Sequence, residues 1–296
     1  MRAVEVTRFG GPDVLRLAQV ERPSPISTEV LVRVLAAGVN PVDCKTRQGD
    51  GVSRWAGPPP FIPGWDVAGE VVEMGYGVTR FRVGDMVFGM PRFPRTAGAY
   101  SEYVTAPSRQ LARMPRGLSP VEAAAVPLAA LTAWQCLVDV ADVDEETTVL
   151  IHGASGGVGD FAVQIAKFFA ACVVTTGRHD RAALSRRDVD VALDLVGGED
   201  TRALLDTLRA GGLLLAVADG APDALKVAAA QRGVHVVEAL VEPDGSALAE
   251  IGRLVENGRL KVKVEEVFAL ERAAAAHERL ERGGVRGKLV LEVSRR

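Results

Sequence analysis

The sequence predicts an α/β protein in two parts: a β-rich, barrel-like domain and a doubly wound parallel sheet. Three observations predict it. Short alternating runs separated by glycine and proline clusters fill the first third. From Ser119 onward, strand and helix patterns alternate as far as Leu240. A chain of 296 residues leaves room for about two domains.

In the first third, Val30, Val32 and Val34 alternate with Leu31, Arg33 and Leu35, the period-two pattern of a strand. Similar runs cover residues 67–73, 85–89 and 100–105, set apart by clusters such as AGPPPFIPGW. Ser119-Pro120-Val121-Glu122 is a capping box with proline at the first helical position, and there the register changes. Strands are then expected over 147–151, 172–176, 189–195, 213–218 and 235–240. Helices are expected over 157–171, over 201–210 closed by Gly211-Gly212, and over 222–232 ended by Gly233. A last helix over 270–282 leads into KLVLEV, an alternating strand that returns to the first domain. The expected domains are 1–118 with 265–296, and 119–264.

Composition narrows the classes of function. Hydrophobic residues are 48% and charged residues 25%, ordinary globular usage. Lysine and arginine number 35 against 38 acids, a formal net charge of −3 with no basic run, so neither nucleic acid nor a membrane surface is an expected partner. Cys44, Cys136 and Cys172 are scattered and odd in number, which argues against a disulfide framework or a structural zinc lobe and for a reducing cytoplasm. The opening MRAVEVTRFG lacks the apolar core of a signal peptide. The longest uncharged stretch, from Ala123 to Val138, falls short of the ~18 apolar residues of a membrane span.

The most informative segment is VLIHGASGGVGDFAVQIAK. A strand runs into Gly153, Gly156 and Gly159, and an amphipathic helix follows. Such a turn lets backbone press against a pyrophosphate while the helix N-terminus offers free N–H groups and a positive dipole end. Gly153, Ala154, Ser155, Gly156, Gly157 and Val158 are therefore the expected dinucleotide cradle. The next strand ends Thr175-Thr176-Gly177-Arg178 with no acid before Asp180. Thr176 and Arg178 suit a ribose 2′-phosphate, which points to NADP(H); the alternative leaves Arg178 in solvent and gives the ribose to Asp180. Two other nucleotide patterns fail. Tyr76, Tyr100 and Tyr103 are followed four residues on by Arg80, Val104 and Pro107, not lysine, and Gly287-Lys288 is followed by Leu289 rather than Ser or Thr.

Taken with GGPDVL, EVLVRVLAAGVNPVDCKTRQG, PGWDVAGEVVEMG, RFRVGDMVFG, GAYSEYV, PLAALTAWQ and RGKLVL, the chain resembles the medium-chain dehydrogenase/reductase superfamily, specifically its zinc-independent quinone oxidoreductase branch. The resemblance covers essentially the whole chain. It implies a GroES-like domain beside a Rossmann-type sheet, with the cofactor cleft between them. Zinc-dependent members place a Cys where this chain has Asn40, and His-Glu where it has Trp65-Asp66. Amide and indole are not zinc ligands, and Cys44 with Asp66 do not complete a tetrahedral set, so no metal is expected. Without a metal to polarise an isolated carbonyl, hydride from NADPH suits a quinone or an α,β-unsaturated carbonyl.

The resemblance places Asn40 near nicotinamide or substrate, the alternative being a turn residue before Pro41. It brings Thr132, Leu195, Val196, Gly197, Val217 and Lys288 to the cofactor. Trp55, Trp65 and Phe88, with Phe61, offer apolar walls for a flat acceptor, domain core being the alternative for Phe88. Asp43 and Lys45 line a mouth or sit in a solvated loop. Tyr100 and Tyr103 read as core, His152 as a satisfied core group, and His179, His235 and His277 as loop or surface. The loop Gly51-Val52-Ser53-Arg54-Trp55 holds no tyrosine, so water is the expected proton donor.

One departure is large. Only residues 179–188 lie between the second strand and VDVALDLVGG, too few for the superfamily's helix, third strand and helix. The expected sheet has five strands in the order 2-1-4-5-6, with weaker NADPH binding. Homodimerisation through the free edge at 235–240 is expected. Two alternatives stay open: a non-catalytic NADPH-binding or redox-sensing protein, and an enoyl-thioester reductase.

Overall fold

The structure, a computed structural model, describes residues 1–176, 182–198, 200–218 and 220–294. Two compact units divide the chain: Met1–Leu131 with Glu242–Arg296, and Thr132–Val241.

The first unit opens with β1 (Arg2–Val6) and β2 (Leu15–Gln19), an antiparallel pair. β3 (Glu29–Val39) is its spine. Eleven residues long and almost wholly buried, β3 has different partners along its length: β4 (Val67–Met74), β6 (Tyr103–Pro107) and, at its carboxyl end, a strand from the far end of the chain. β5 (Met86–Gly89) and β7 (Leu111–Arg113) extend the sheet beyond β4. Val30, Val32, Val34, Phe61 and Val67 anchor the core beneath it. Between β3 and β4 lie α1 (Pro41–Gln48) and the short α2 (Ser53–Ala56). Asn40 is the N-cap of α1, Pro41 its first residue, and Gly49 its left-handed C-cap at φ 99°. The capping box at Ser119 starts α3 (Pro120–Ala124) as its sequence requires. α4 (Pro127–Trp134) follows and carries the unit boundary.

The second unit contains β8 (Thr148–His152), α5 (Gly157–Phe168), β9 (Cys172–Thr176), β10 (Val189–Asp194), α6 (Asp200–Leu205), β11 (Leu208–Ala216), α7 (Asp223–Gln231) and β12 (His235–Glu238). Its strands are all parallel, in the order β9-β8-β10-β11-β12. That is the 2-1-4-5-6 arrangement expected of a sheet without its outer third strand. One expectation fails. α6 stops at Leu205, and Gly211-Gly212 lie inside β11, where the register against β10 shifts between Val189 and Val191. The glycine pair makes a bulge, not a helix stop.

The chain then returns to the first unit through α8 (Gly245–Glu256), β13 (Val264–Ala269), α9 (Ala273–Glu281) and β14 (Lys288–Glu292). α8, which the sequence assigned with the nucleotide part, packs here against β7, and α3 packs against β3 and β4. β14 pairs antiparallel with β3, setting Leu289 opposite Val39, and pairs parallel with β13.

Candidate active site

In the second unit, three glycines between β8 and α5 serve three separate needs. Gly153 turns the chain at φ 92° and donates its N–H to Thr176 O at 2.9 Å. Gly156 is the N-cap of α5 in extended conformation, and a Cβ there would meet only Gly153 O at an ordinary 3.5 Å. At Gly159 a Cβ would come within 2.2 Å of Gly153 O and 2.6 Å of the Ala154 Cα, so hydrogen alone lets the helix close onto the turn. The first amides of the 12-residue α5 have no acceptor within the helix, and the dipole there favours an anion.

The neighbouring expected residues gather at the same end of the sheet. Thr176, buried, closes β9. Leu195, Val196 and Gly197 follow β10, where the Asp194 carboxylate accepts the N–H groups of Val196 at 3.0 Å and Gly197 at 2.9 Å. Val217 follows β11 and donates its N–H to Asp194 O at 3.1 Å. All lie at the carboxyl ends of parallel strands, where open α/β sheets take their ligands. Thr132 is buried in α4. Arg178, with Gly177, His179, Asp180 and Arg181, lies outside the described residues.

His152 corrects the sequence reading. It is buried, 1% exposed, yet neither ring nitrogen has a hydrogen-bond partner among the described residues. Its Nε2 stands 3.9 Å from the nearest carboxylate oxygen, on Asp200, too far for a hydrogen bond.

In the first unit Asn40 is 1% exposed, and its Nδ2 donates to Asp66 Oδ2 at 2.9 Å. Lys288, also buried, donates from Nζ to Asn40 Oδ1 and to Val39 O at 3.2 Å, and pairs with Asp66 at 3.5 Å. Asp66 Oδ1 accepts the Leu128 N–H at 2.8 Å. Burial raises the Asp66 pKa, and Lys288 and the Asn40 hydrogen bond oppose that rise.

A second buried polar cluster adjoins. Asp43, far from being solvated, accepts the Asn40 N–H at 2.7 Å and the Tyr100 hydroxyl at 3.4 Å. Burial lifts its pKa to about 7. His277, expected at the surface, is buried between Tyr100 Oη at 3.1 Å and Arg47 Nη1 at 3.2 Å. Burial first and Arg47 second lower its pKa to about 3. Arg47, wholly buried, also binds Gly10 O and pairs with Glu281. Burial pushes the Cys44 thiol far above its ordinary range and Cys136 up to about 12, so neither is a nucleophile at neutral pH.

The proposed apolar walls do not assemble. Phe88 is fully buried core. Trp65 is 1% exposed, donates its indole N–H to Arg95 O at 2.7 Å, and meets Phe93 edge-on. Trp55, 40% exposed, lies under the Arg54 guanidinium at 3.7 Å. Lys45 is half-buried on α1. Among the described residues no group of three or more His, Cys, Asp or Glu side chains is placed to hold a metal ion.

Comparison with known proteins agrees with this geometry. The alcohol dehydrogenase GroES-like domain family matches residues 27–116, and the zinc-binding dehydrogenase family matches 169–291. A zebrafish (Danio rerio) mitochondrial NAD(P)H oxidoreductase, RTN4IP1, is 31% identical over 99% of this chain and 91% of its own. The quinone oxidoreductase of Coxiella burnetii superposes with a TM-score of 0.91 at 33% identity, over 99% of each chain. The chain belongs to the medium-chain dehydrogenase/reductase superfamily, in its quinone oxidoreductase branch. A mycobacterial protein solved in complex with NADPH superposes with a TM-score of 0.87 at 28% identity, over 99% of this chain and 100% of that one. The zebrafish alignment spans 356 positions, well beyond this chain's 296 residues, so that relative carries segments this member of the superfamily lacks. Among the described residues no helix is long and apolar enough to cross a membrane.

Sequence reasoning missed Asp43, Arg47, Asp66 and His277 as buried partners. The capping box of Asn40 with Asp43 was the one signal present in sequence, and Asn-Pro at 40–41 marks where it starts.

Proposed function

We propose that this protein is an NADPH-dependent oxidoreductase that passes hydride to a quinone or an α,β-unsaturated carbonyl without zinc. The glycine turn carries the reading: a backbone with φ 92° at Gly153, open space at Gly156 and close packing at Gly159 suits a pyrophosphate. The names of its relatives support it, one an NAD(P)H oxidoreductase, one a quinone oxidoreductase, one solved with NADPH.

When bound, the nicotinamide supplies the hydride. The chain's own residues do the rest. Gly153, Ala154, Ser155, Gly156, Gly157 and Val158 hold the pyrophosphate, and Thr176 with Arg178 takes the ribose phosphate. Thr132, Leu195, Val196, Gly197 and Val217 line the nucleotide. Asn40 offers a neutral N–H to an oxygen that gains charge. Its amide oxygen is committed to Lys288, and the Trp65 indole N–H to Arg95 O, so neither supplies a zinc ligand. Water supplies the proton. The shortened segment after Arg178 weakens NADPH binding, and β12 pairs with its counterpart in a homodimer. A reducing, cytoplasmic setting suits three free cysteines.

The test is NADPH oxidation with 1,4-benzoquinone, 9,10-phenanthrenequinone, trans-2-hexenal and crotonyl-CoA, with NADH and EDTA controls. Turnover that prefers NADPH and ignores EDTA is expected. Crotonyl-CoA as the best acceptor would move the reading to an enoyl-thioester reductase. NADPH binding with no turnover of any acceptor would make the protein a sensor.

A further inference from the structure

The Asn40 amide lies between two opposite charges. Its Nδ2 faces the Asp66 carboxylate at 2.9 Å and its Oδ1 faces the Lys288 ammonium. Turned over, it would set N–H against ammonium and carbonyl oxygen against carboxylate, so both contacts would repel. The orientation of the amide is therefore dictated by charge.

Lys288 has three N–H donors, and three acceptors surround it: Asn40 Oδ1, Val39 O at 3.2 Å and Asp66 Oδ2 at 3.5 Å. Its side chain is 5% exposed. Nothing remains for it to offer a ligand. Asp66 is equally committed, its second oxygen held by the Leu128 N–H at 2.8 Å. Asn40 Nδ2 carries two hydrogens and spends one on Asp66. The second hydrogen is the one it can offer a ligand.

We propose that Lys288 and Asp66 are positioning residues that fix Asn40 as a donor-only group, and that Lys288 does not hold the cofactor. The resemblance stated from sequence had given Lys288 that contact. The inference rests on the reading of Asn40 as the reaction's amide donor. Asn40 then serves a carbonyl oxygen, either that of the acceptor or that of the nicotinamide carboxamide, and does not serve an O–H or N–H donor.

Lys288→Met, Asn40→Ala and the double variant separate the possibilities, with kcat measured on 9,10-phenanthrenequinone and NADPH Kd measured by nicotinamide fluorescence. Lys288→Met should lower kcat by roughly tenfold or more, because an oriented donor is lost, and should change NADPH Kd no more than Asn40→Ala does, because Lys288 itself makes no cofactor contact. In the Asn40→Ala background, Lys288→Met should cost nothing further, since it acts through Asn40. Losses that multiply, or NADPH binding weakened about tenfold further by Lys288→Met in the Asn40→Ala background, overturn the proposal. Asp66→Asn/Lys288→Met leaves no lone buried charge and guards against misfolding; it should lose kcat as Lys288→Met does, and wild-type kcat there also overturns the proposal. Asn40→Ala that raises NADPH Kd assigns the free N–H to the carboxamide; a change in kcat alone assigns it to the acceptor.

A readout independent of turnover keeps the two readings apart. The side-chain amide of Asn40, identified in a 15N–1H spectrum by its loss in Asn40→Ala, should show one hydrogen shifted downfield by Asp66. That shift should collapse in Asp66→Asn/Lys288→Met. An unchanged signal refutes the positioning role whether or not the enzyme reduces quinones.

Discussion

Replacing Gly159 and Gly156 separately by alanine distinguishes packing from binding at the nucleotide turn. At Gly159 the new methyl would sit 2.2 Å from Gly153 O and 2.6 Å from the Ala154 Cα, against a normal separation above 3.4 Å. Both neighbours are backbone, so α5 must retreat by about an ångström from the end of β8. Overpacking of this kind costs about 1–3 kcal/mol. At about 2–4 °C per kcal/mol that is a fall in Tm of about 2–12 °C. At Gly156 the methyl would meet Gly153 O at 3.5 Å with the backbone in an ordinary extended conformation. Folding should change by less than about 0.5 kcal/mol. That methyl would nonetheless occupy the surface a pyrophosphate must approach. Gly156→Ala should keep the wild-type melting temperature and lose NADPH affinity by tenfold or more, a figure of about 1.4 kcal/mol. Differential scanning fluorimetry and fluorescence titration on both variants decide it. A Gly156→Ala protein that binds NADPH as the wild type does would refute the cradle. An undisturbed melt for Gly159→Ala would refute the packing argument.

Three further outcomes are expected. Asp43, whose folded pKa of about 7 lies above its ordinary 3.8, contributes stability below about pH 4 that is lost as pH rises through 7. His277, held near 3 against an ordinary 6.5, contributes stability above pH 6.5 that is lost as pH falls toward 3. Between pH 4 and 6 the two slopes oppose, so His277→Gln should make stability fall with rising pH by about 1.4 kcal/mol per unit relative to wild type; parallel urea-melt profiles would contradict it. Gly64→Ala should destabilise by about 2 kcal/mol or more, because the position has φ 90° and its Cβ would stand 2.3 Å from the Tyr100 ring, and an unshifted thermal melt would count against that packing. Arg178→Ala should raise the KM for NADPH about tenfold and leave that for NADH unchanged, while equal effects on both would return the ribose to Asp180.

What sequence disclosed was local. The number of strands in the second unit followed from counting βα repeats and their order from the arrangement the resemblance implies, and the three glycines declared themselves because each answers a need met within seven residues. The polar interior of the first unit was illegible for the opposite reason. Asn40 meets Asp66 across 26 residues and Lys288 across 248, and Arg47 meets His277 across 230. A charged side chain is exposed until a partner appears, and nothing local shows a partner that distant. His277 sits in AAAAHERLE, which reads as a surface helix, yet it is wholly buried. Trp65 failed differently: in sequence it groups with Trp55, Phe61 and Phe88 as an apolar wall for a flat acceptor, and only the distant Arg95 carbonyl shows its N–H to be part of the core. Gly211-Gly212 misled because two glycines suit a helix stop and a bulge equally well.

The return of β14 to β3 sets an order of assembly during translation. The second unit is a contiguous stretch, 132–241, and the five strands among its described residues have left the ribosome before β14 is made. The first unit must wait. Until residues 288–292 emerge, the carboxyl half of β3 stands as an open edge, and the buried Asp66 lacks its counter-ion. A nascent chain in that state carries a completed second unit and an unfinished first sheet with an exposed ladder, the kind of surface that chaperones cover. Leu289–Glu292 close the edge, and Lys288 just before them brings the neutralising charge in the same step. A message cut short of that codon would therefore yield an aggregating chain in which the glycine turn is already formed.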